Sequence, residues 1–252
     1  MASFLNYKKP LLTVMLKHDT EEGVLKEVKK ALIHGADAFG LQTEQAPVFH
    51  NEDALKRLLE ALGDKPLYIT NYKHHINEDV SYDDVAKKLL WFAEKGATLC
   101  DVMGDFYCKD DQELTFEENA VEKQIKLINA IHDRGAEVVM SSHINKFKTA
   151  DEVLAVALEH QRRGADISKI VTAGDSKEEE LENLRITNYV SQKLDIPLLY
   201  LSGGTHCLVH RKIGILFGSC MALCVCDNSN LENPQPFVGD QKAIRDTMNF
   251  EV

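Results

Sequence analysis

The feature that most constrains this chain is an alternation. Short apolar runs rich in β-branched residues recur at intervals of roughly 25 to 35 residues, and most are followed by a stretch with helical spacing. The runs are Leu11-Leu12-Thr13-Val14-Met15-Leu16, Ala38-Phe39-Gly40-Leu41, Pro66-Leu67-Tyr68-Ile69-Thr70-Asn71 and Thr98-Leu99-Cys100-Asp101-Val102-Met103. They continue with Val138-Val139-Met140-Ser141-Ser142-His143, a run within 164–172, Ile196-Pro197-Leu198-Leu199-Tyr200-Leu201 and one within 217–226. Helices are predicted over 21–33, 51–62, 82–95, 118–133, 149–163, 177–193 and 240–248. Runs this apolar read as strands buried on both faces, and a helix between two such strands sets them parallel. Eight strand units in 252 residues, with no linker-like stretch, predict a single (β/α)8 TIM barrel spanning 1–252. The alternative is an open doubly wound sheet. No G-x-G-x-x-G turn follows the first strand, so a dinucleotide site has no support.

Charge and composition remove several function classes. A formal net charge of −11 repels the phosphates of nucleic acid, although it leaves room for a small anion held by local cations. No apolar run reaches the roughly 18 to 20 residues that span a bilayer, so no membrane partner is expected. The first ten residues lack the apolar core of a secretory signal, which predicts a cytoplasmic protein. Six cysteines show no paired zinc spacing and several lie within apolar runs, so they read as buried free thiols. The adjacent pairs His74-His75 and His206-Cys207 do not chelate naturally, because neighbouring side chains face opposite ways along a strand. His74 and His75 read instead as part of a mobile loop over the barrel mouth. Neither a metal nor a cofactor is expected.

The chemistry concentrates on the fifth and sixth strands. His143 closes one and Lys169 sits within the other, so both point toward the end of the barrel where such enzymes work. An amine on an otherwise apolar strand is desolvated, which favours its neutral, nucleophilic form. Beside an imidazole, such an amine suits iminium chemistry on a carbonyl substrate. The bland alternative is a lysine that snorkels to solvent and a histidine satisfied as an ordinary polar residue.

At Ser141-Ser142-His143 and Gly164-Ala165-Asp166-Ile167-Ser168-Lys169-Ile170 the chain resembles the type I 3-dehydroquinate dehydratases. The likeness continues through Val209-His210-Arg211-Lys212-Ile213-Gly214-Ile215-Leu216-Phe217-Gly218-Ser219 and ends in Asn233-Pro234-Gln235. The resemblance implies that Lys169 condenses with a substrate ketone and that His143 removes the neighbouring proton, then protonates the departing β-hydroxyl. It implies that Arg211 and Gln235 hold the substrate carboxylate. It further implies a homodimer acting on a small keto acid in the shikimate pathway.

The other end of the site departs from that family. Its Glu-x-Arg-x-Asp pattern after the second strand is met here by Gln42, Glu44 and Ala46, and its Thr-Phe-Arg by Thr70-Asn71-Tyr72. The Asp-x-Glu of the fourth strand becomes Asp101-Val102-Met103, and the Ser-Met after the seventh becomes Ser202-Gly203. Gln42, Glu44 and Tyr72 are therefore the expected substrate-binding residues at the hydroxyl-bearing end. Lost partners for a polyhydroxylated substrate cost several kcal/mol, so a related hydroxy keto acid is an alternative substrate. A class I aldolase would use the same iminium to break a C–C bond, and a silent barrel would only bind.

Overall fold

The computed structural model describes residues 2–73, 77–227 and 234–250. Eight strands form one sheet in which every paired neighbour runs parallel: β1 (Leu11–Leu16), β2 (Ala38–Gln42), β3 (Leu67–Thr70), β4 (Leu99–Met103), β5 (Glu137–His143), β6 (Ile167–Ala173), β7 (Leu198–Gly203) and β8 (Met221–Cys224). Their spatial order follows the sequence from β1 to β7, with β8 beside β1. The ring closes where Leu198, at the start of β7, bridges Ser219 just ahead of β8. The helices are α1 (Glu21–Ile33), α2 (Glu52–Leu62), α3 (Tyr82–Glu94), α4 (Glu118–His132), α5 (Ala150–Arg162), α6 (Lys177–Ser191), α7 (Leu208–Ile213) and α8 (Val238–Asp246). This is the predicted (β/α)8 barrel.

Local chemistry explains where the helices begin. Thr20, Asn51, Ser81, Glu117, Thr149 and Ser176 each accept a backbone N–H of the first turn, a contact worth about 1 kcal/mol per helix. At α5 the cap is reciprocal, because Glu152 returns a bond to the backbone of Thr149. Among the departures from expectation, one concerns an element's start and another an element's presence. Helix α8 starts at Val238 rather than 240, as soon as the chain leaves the bridge between Val225 and Phe237. Helix α7 was not anticipated, because six residues are too few to show a period.

Two apolar layers follow from the period of two along each strand. Outward residues such as Leu12, Val14, Phe39, Leu41, Ile69 and Val102 pack beneath the helices. Inward residues such as Leu11, Met15, Tyr68, Leu99, Val139, Ile167, Leu199 and Met221 fill the barrel. Phe4 closes the bottom of this interior, with its backbone N–H on Glu137 Oε2 at 2.7 Å. The filled lower barrel leaves the carboxyl ends of the strands as the place where barrel enzymes put their chemistry.

Candidate active site

On β6 the inward face carries Ile167, Lys169 and Val171, so the lysine sits one layer above the apolar filling. Register sets its neighbours. Ser141 of β5 lies opposite Lys169, and His143 lies opposite Val171, one layer nearer the mouth. Asp101 of β4 lies opposite Val139.

Lys169 is 4% exposed and its amine stands among oxygens. Nζ donates to Tyr72 Oη at 2.5 Å and to Tyr68 Oη at 3.1 Å, and Asp101 Oδ2 lies at 3.3 Å. Both phenols donate to Asp101 Oδ2, from Tyr72 at 2.7 Å, while Ser141 Oγ donates to Oδ1 at 2.5 Å. Burial opposes ionisation of Asp101, but the Lys169 charge and three hydroxyl donors outweigh it and hold the carboxyl below its usual range. Burial, then the adjacent Asp101 charge, pushes both tyrosines well above theirs, so they remain protonated donors. Lys169 thus carries a buried counter-charge, Asp101, which its own apolar strand does not reveal.

His143 is held from the mouth side. Its Nδ1 contacts Glu113 Oε2 at 2.7 Å, and its backbone N–H donates to the same oxygen at 2.8 Å. A carboxylate on Nδ1 fixes the proton there and leaves Nε2 as the free base. Glu113 comes from the loop 104–117 between β4 and α4 and has φ of +49°, the left-handed region that non-glycine residues enter at a cost. The loop is pinned so that it stays there. Ser142 Oγ donates to Glu113 O at 2.7 Å, and the buried Arg163 guanidinium donates to Gly104 O at 2.9 Å and Thr115 O at 2.6 Å. Gly104 must lack a side chain, since a Cβ there would lie 2.4 Å from Glu113 O.

Gln42, Thr70, Tyr72, His143, Lys169, Arg211 and Gln235 line one cavity of about 170 Å³, with Met15, Val171, Leu201 and Leu223 as apolar walls. Arg211 rises from α7, and its Nε donates to Ser202 O at 2.6 Å, which aims the guanidinium across the cavity. Among the expected site residues, Glu44 alone is absent from this lining. It lies behind Thr70, whose Oγ1 donates to its carboxylate at 3.1 Å, and burial raises its pKa despite that bond. His74-His75 and Asn233 lie outside the described residues. A larger cavity of about 300 Å³, lined by Phe4, Tyr7, Lys9 and Cys220, sits at the other end of the barrel, away from this acid–base cluster.

A sequence profile described as type I 3-dehydroquinase matches residues 12–248. The chain belongs to the type I 3-dehydroquinase family. Curated relatives named 3-dehydroquinate dehydratase include one from Listeria welshimeri, 34% identical over 112 residues, covering 44% of this chain and 43% of that protein. Another, from Lactiplantibacillus plantarum, is 31% identical over 153 residues, 57% of this chain and 60% of that protein. These matches thus span about half the length of the relatives. Among solved structures, the 3-dehydroquinate dehydratase of Geobacillus kaustophilus superposes with a TM-score of 0.80 at 18% identity, covering 98% of this chain and 95% of that one. The type I enzyme of Clostridium difficile gives 0.80 at 19% identity, over 96% and 94%. At such identities the superpositions speak for the fold.

Asp101, Ser141, Tyr68 and Glu113 join the cluster in addition to the residues that the resemblance implies. Asp101 and Ser141 carried a signal, being polar residues at inward positions of otherwise apolar strands. Tyr68 shares a face with Tyr72, four positions on. Glu113 carried none. Its role depends on a loop path that no periodicity encodes. Among the described residues, no group of three or more His, Cys, Asp or Glu side chains gathers to hold a metal.

Proposed function

We propose that this chain is a Schiff-base-forming carbon–oxygen lyase that dehydrates 3-dehydroquinate to 3-dehydroshikimate. The observation that carries the reading is a nucleophilic amine, an oriented imidazole and an arginine lining one small cavity: Lys169, His143 and Arg211. Lys169 Nζ attacks the ketone and water leaves, which gives an iminium. That cation withdraws electrons more strongly than the ketone and acidifies the adjacent C–H. His143 Nε2 takes the proton, and the imidazolium, stabilised by Glu113, returns it to the β-hydroxyl as the C–O bond breaks. Arg211 and Gln235 hold the carboxylate, the guanidinium offering a planar fork. Hydrolysis of the product imine restores Lys169.

A second reading keeps the chemistry and changes the substrate to a hydroxy keto acid with fewer hydroxyls. It rests on the far wall, where Gln42 and Tyr72 line the cavity and Glu44 does not. The test is borohydride reduction in the presence of 3-dehydroquinate, followed by peptide mass spectrometry. An adduct on Lys169 with appearance of the enone chromophore supports the first reading. An adduct formed only with another keto acid supports the second, and no adduct with any carbonyl compound refutes both.

A cytoplasmic setting fits the six unpaired cysteines. A homodimer fits the exposed Leu181 of α6 and Leu208 and Val209 of α7, on helices that pack against each other.

A further inference from the structure

Imine formation makes two proton-transfer demands, one at the nitrogen and one at the carbonyl oxygen. The ammonium must lose a proton before Nζ can attack, and the carbinolamine hydroxyl must gain one before water can leave. In the resting site the contacts of Nζ are Tyr68, Tyr72 and Asp101, and the Nδ1 of His143 is engaged by Glu113. Of the three groups around the amine, Tyr72 alone lines the cavity among the described residues. Its hydroxyl accepts from Nζ at 2.5 Å and donates to Asp101 Oδ2 at 2.7 Å, a continuous path from nitrogen to carboxylate. Its ring also packs edge-on against the His143 imidazole, with centroids 5.4 Å apart, so the two proton-handling groups flank the same amine.

The geometry points to Tyr72 as a second catalytic acid–base residue that relays protons between Lys169 and Asp101 while the imine forms and breaks. The inference rests on the lyase reading above. In the first step an N–H bond of the ammonium breaks and its proton passes to Tyr72 Oη, as the phenol's own proton passes to Asp101 Oδ2. Ammonium and carboxylate become amine and carboxylic acid. The lone pair then adds to the carbonyl carbon, and the nitrogen proton shifts to the carbonyl oxygen to give a neutral carbinolamine. In the last step the Asp101 proton returns through Tyr72 to that hydroxyl, the C–O bond breaks, water departs and the nitrogen lone pair closes the iminium. Asp101 ends ionised, as it began. One ammonium and one ketone have become one protonated imine and one water, with charge conserved.

The side chain suits the task and the one it replaces does not. A phenol donates and accepts at one oxygen, whereas the arginine of the family's Thr-Phe-Arg pattern has no acceptor and keeps its charge. Tyr68 touches the same carboxylate from the filled barrel interior, where it positions Asp101 without reaching the cavity. Tyr72 with Asp101 thereby adds a proton path at the nitrogen to the one that His143 provides at carbon.

The test follows imine formation directly. Enzyme and 3-dehydroquinate are mixed rapidly, quenched with borohydride at intervals, and the adduct is read by intact mass. Tyr72→Phe keeps the ring and removes the relay, so the adduct should form at least tenfold more slowly, a floor set below the usual worth of a general acid–base of about 10² to 10⁴. If Tyr72→Phe matches the wild-type rate of adduct formation, the relay is overturned while the lyase reading stands. If the wild type itself forms no adduct, the lyase reading falls and the relay with it. Should Tyr72→Phe fail to fold, wild-type adduct formation in D2O gives the answer: slowing by about twofold or more supports proton relay in the step, and an unchanged rate overturns it.

Discussion

Replacing Glu113 by glutamine isolates what one carboxylate contributes to His143. The substitution keeps the shape and leaves an amide oxygen that can still accept from Nδ1–H, so the tautomer is preserved. It removes the negative charge that supports the imidazolium formed during proton abstraction. A hydrogen bond to a charged partner contributes about 1.5 to 3 kcal/mol and a neutral one about 0.5 to 1.5, and at about 1.4 kcal/mol per factor of ten the difference of about 1 to 1.5 kcal/mol predicts a fall in kcat of about 5- to 12-fold. KM should change little, because Glu113 is absent from the lining of the substrate cavity. The steady-state assay follows the enone chromophore. Borohydride trapping serves as the internal control: Glu113 touches His143 and not Lys169, so the adduct should still form at the wild-type rate. A Glu113→Gln enzyme whose kcat stays within threefold of wild type would falsify the orienting role, and impaired trapping would point to a disturbed fold instead.

Three further perturbations test other parts of the structure. Gly104→Ala should drive a Cβ into Glu113 O and Ser142 Oγ, at 2.4 and 2.9 Å. The expected result is a loss of about 1 to 3 kcal/mol in urea unfolding together with reduced kcat, and an unaltered protein would show that the loop yields freely. Arg211→Lys trades a fork for a point charge and should raise KM for a carboxylate substrate about tenfold or more with kcat largely kept; an unchanged KM removes Arg211 from carboxylate binding. His160, bonded to Ser142 and Ser168, and His210, bonded to Thr187 and Ser202, are pushed down to about 3, first by burial and then by a neighbouring arginine. Below the unfolded value near 6.5 the unfolded chain binds protons that the folded state refuses until about pH 3, so their stabilising contribution is complete above 6.5 and falls with pH through that window. At pH 5 each costs about 2 kcal/mol relative to pH 7.5, and His160→Gln should reduce the acid-induced loss by that amount; an equal loss in both proteins refutes the assignment.

How much the sequence disclosed depended on what each residue's neighbours were. The barrel was legible because its strands are apolar on both faces and its helices carry their own caps, so Leu11–Leu16 or Thr149 with Glu152 announce themselves locally. Lys169 stood out for the same reason, a charge among Ile167, Ile170 and Val171. Its surroundings were less visible. Parity and register together put Ser141 beside it, but only the tilt of the strands brings Asp101 and Tyr72 to the same amine. Glu113 was out of reach, since loop 104–117 is held by tertiary contacts from Arg163 and Ser142 rather than by any pattern of its own. Glu44 shows the opposite case: a charged residue at a family site position whose side chain turned to Thr70 instead of the cavity.

The oxygen cage around Lys169 also bears on the protein's lifetime. Protein amines meet reducing sugars and stray aldehydes, which attach without enzymatic help. An amine left open would be consumed by them. Here the amine is sheathed by two phenols and a carboxylate at the bottom of a small cavity, and a carbonyl compound must displace those contacts to reach it. A ligand that also fills the cavity can offset that cost with further contacts, which a small passing aldehyde lacks. Glycation should therefore accumulate on solvent-facing lysines such as Lys26 and Lys126 while the working amine stays clean, so that aged preparations lose surface charge long before they lose activity.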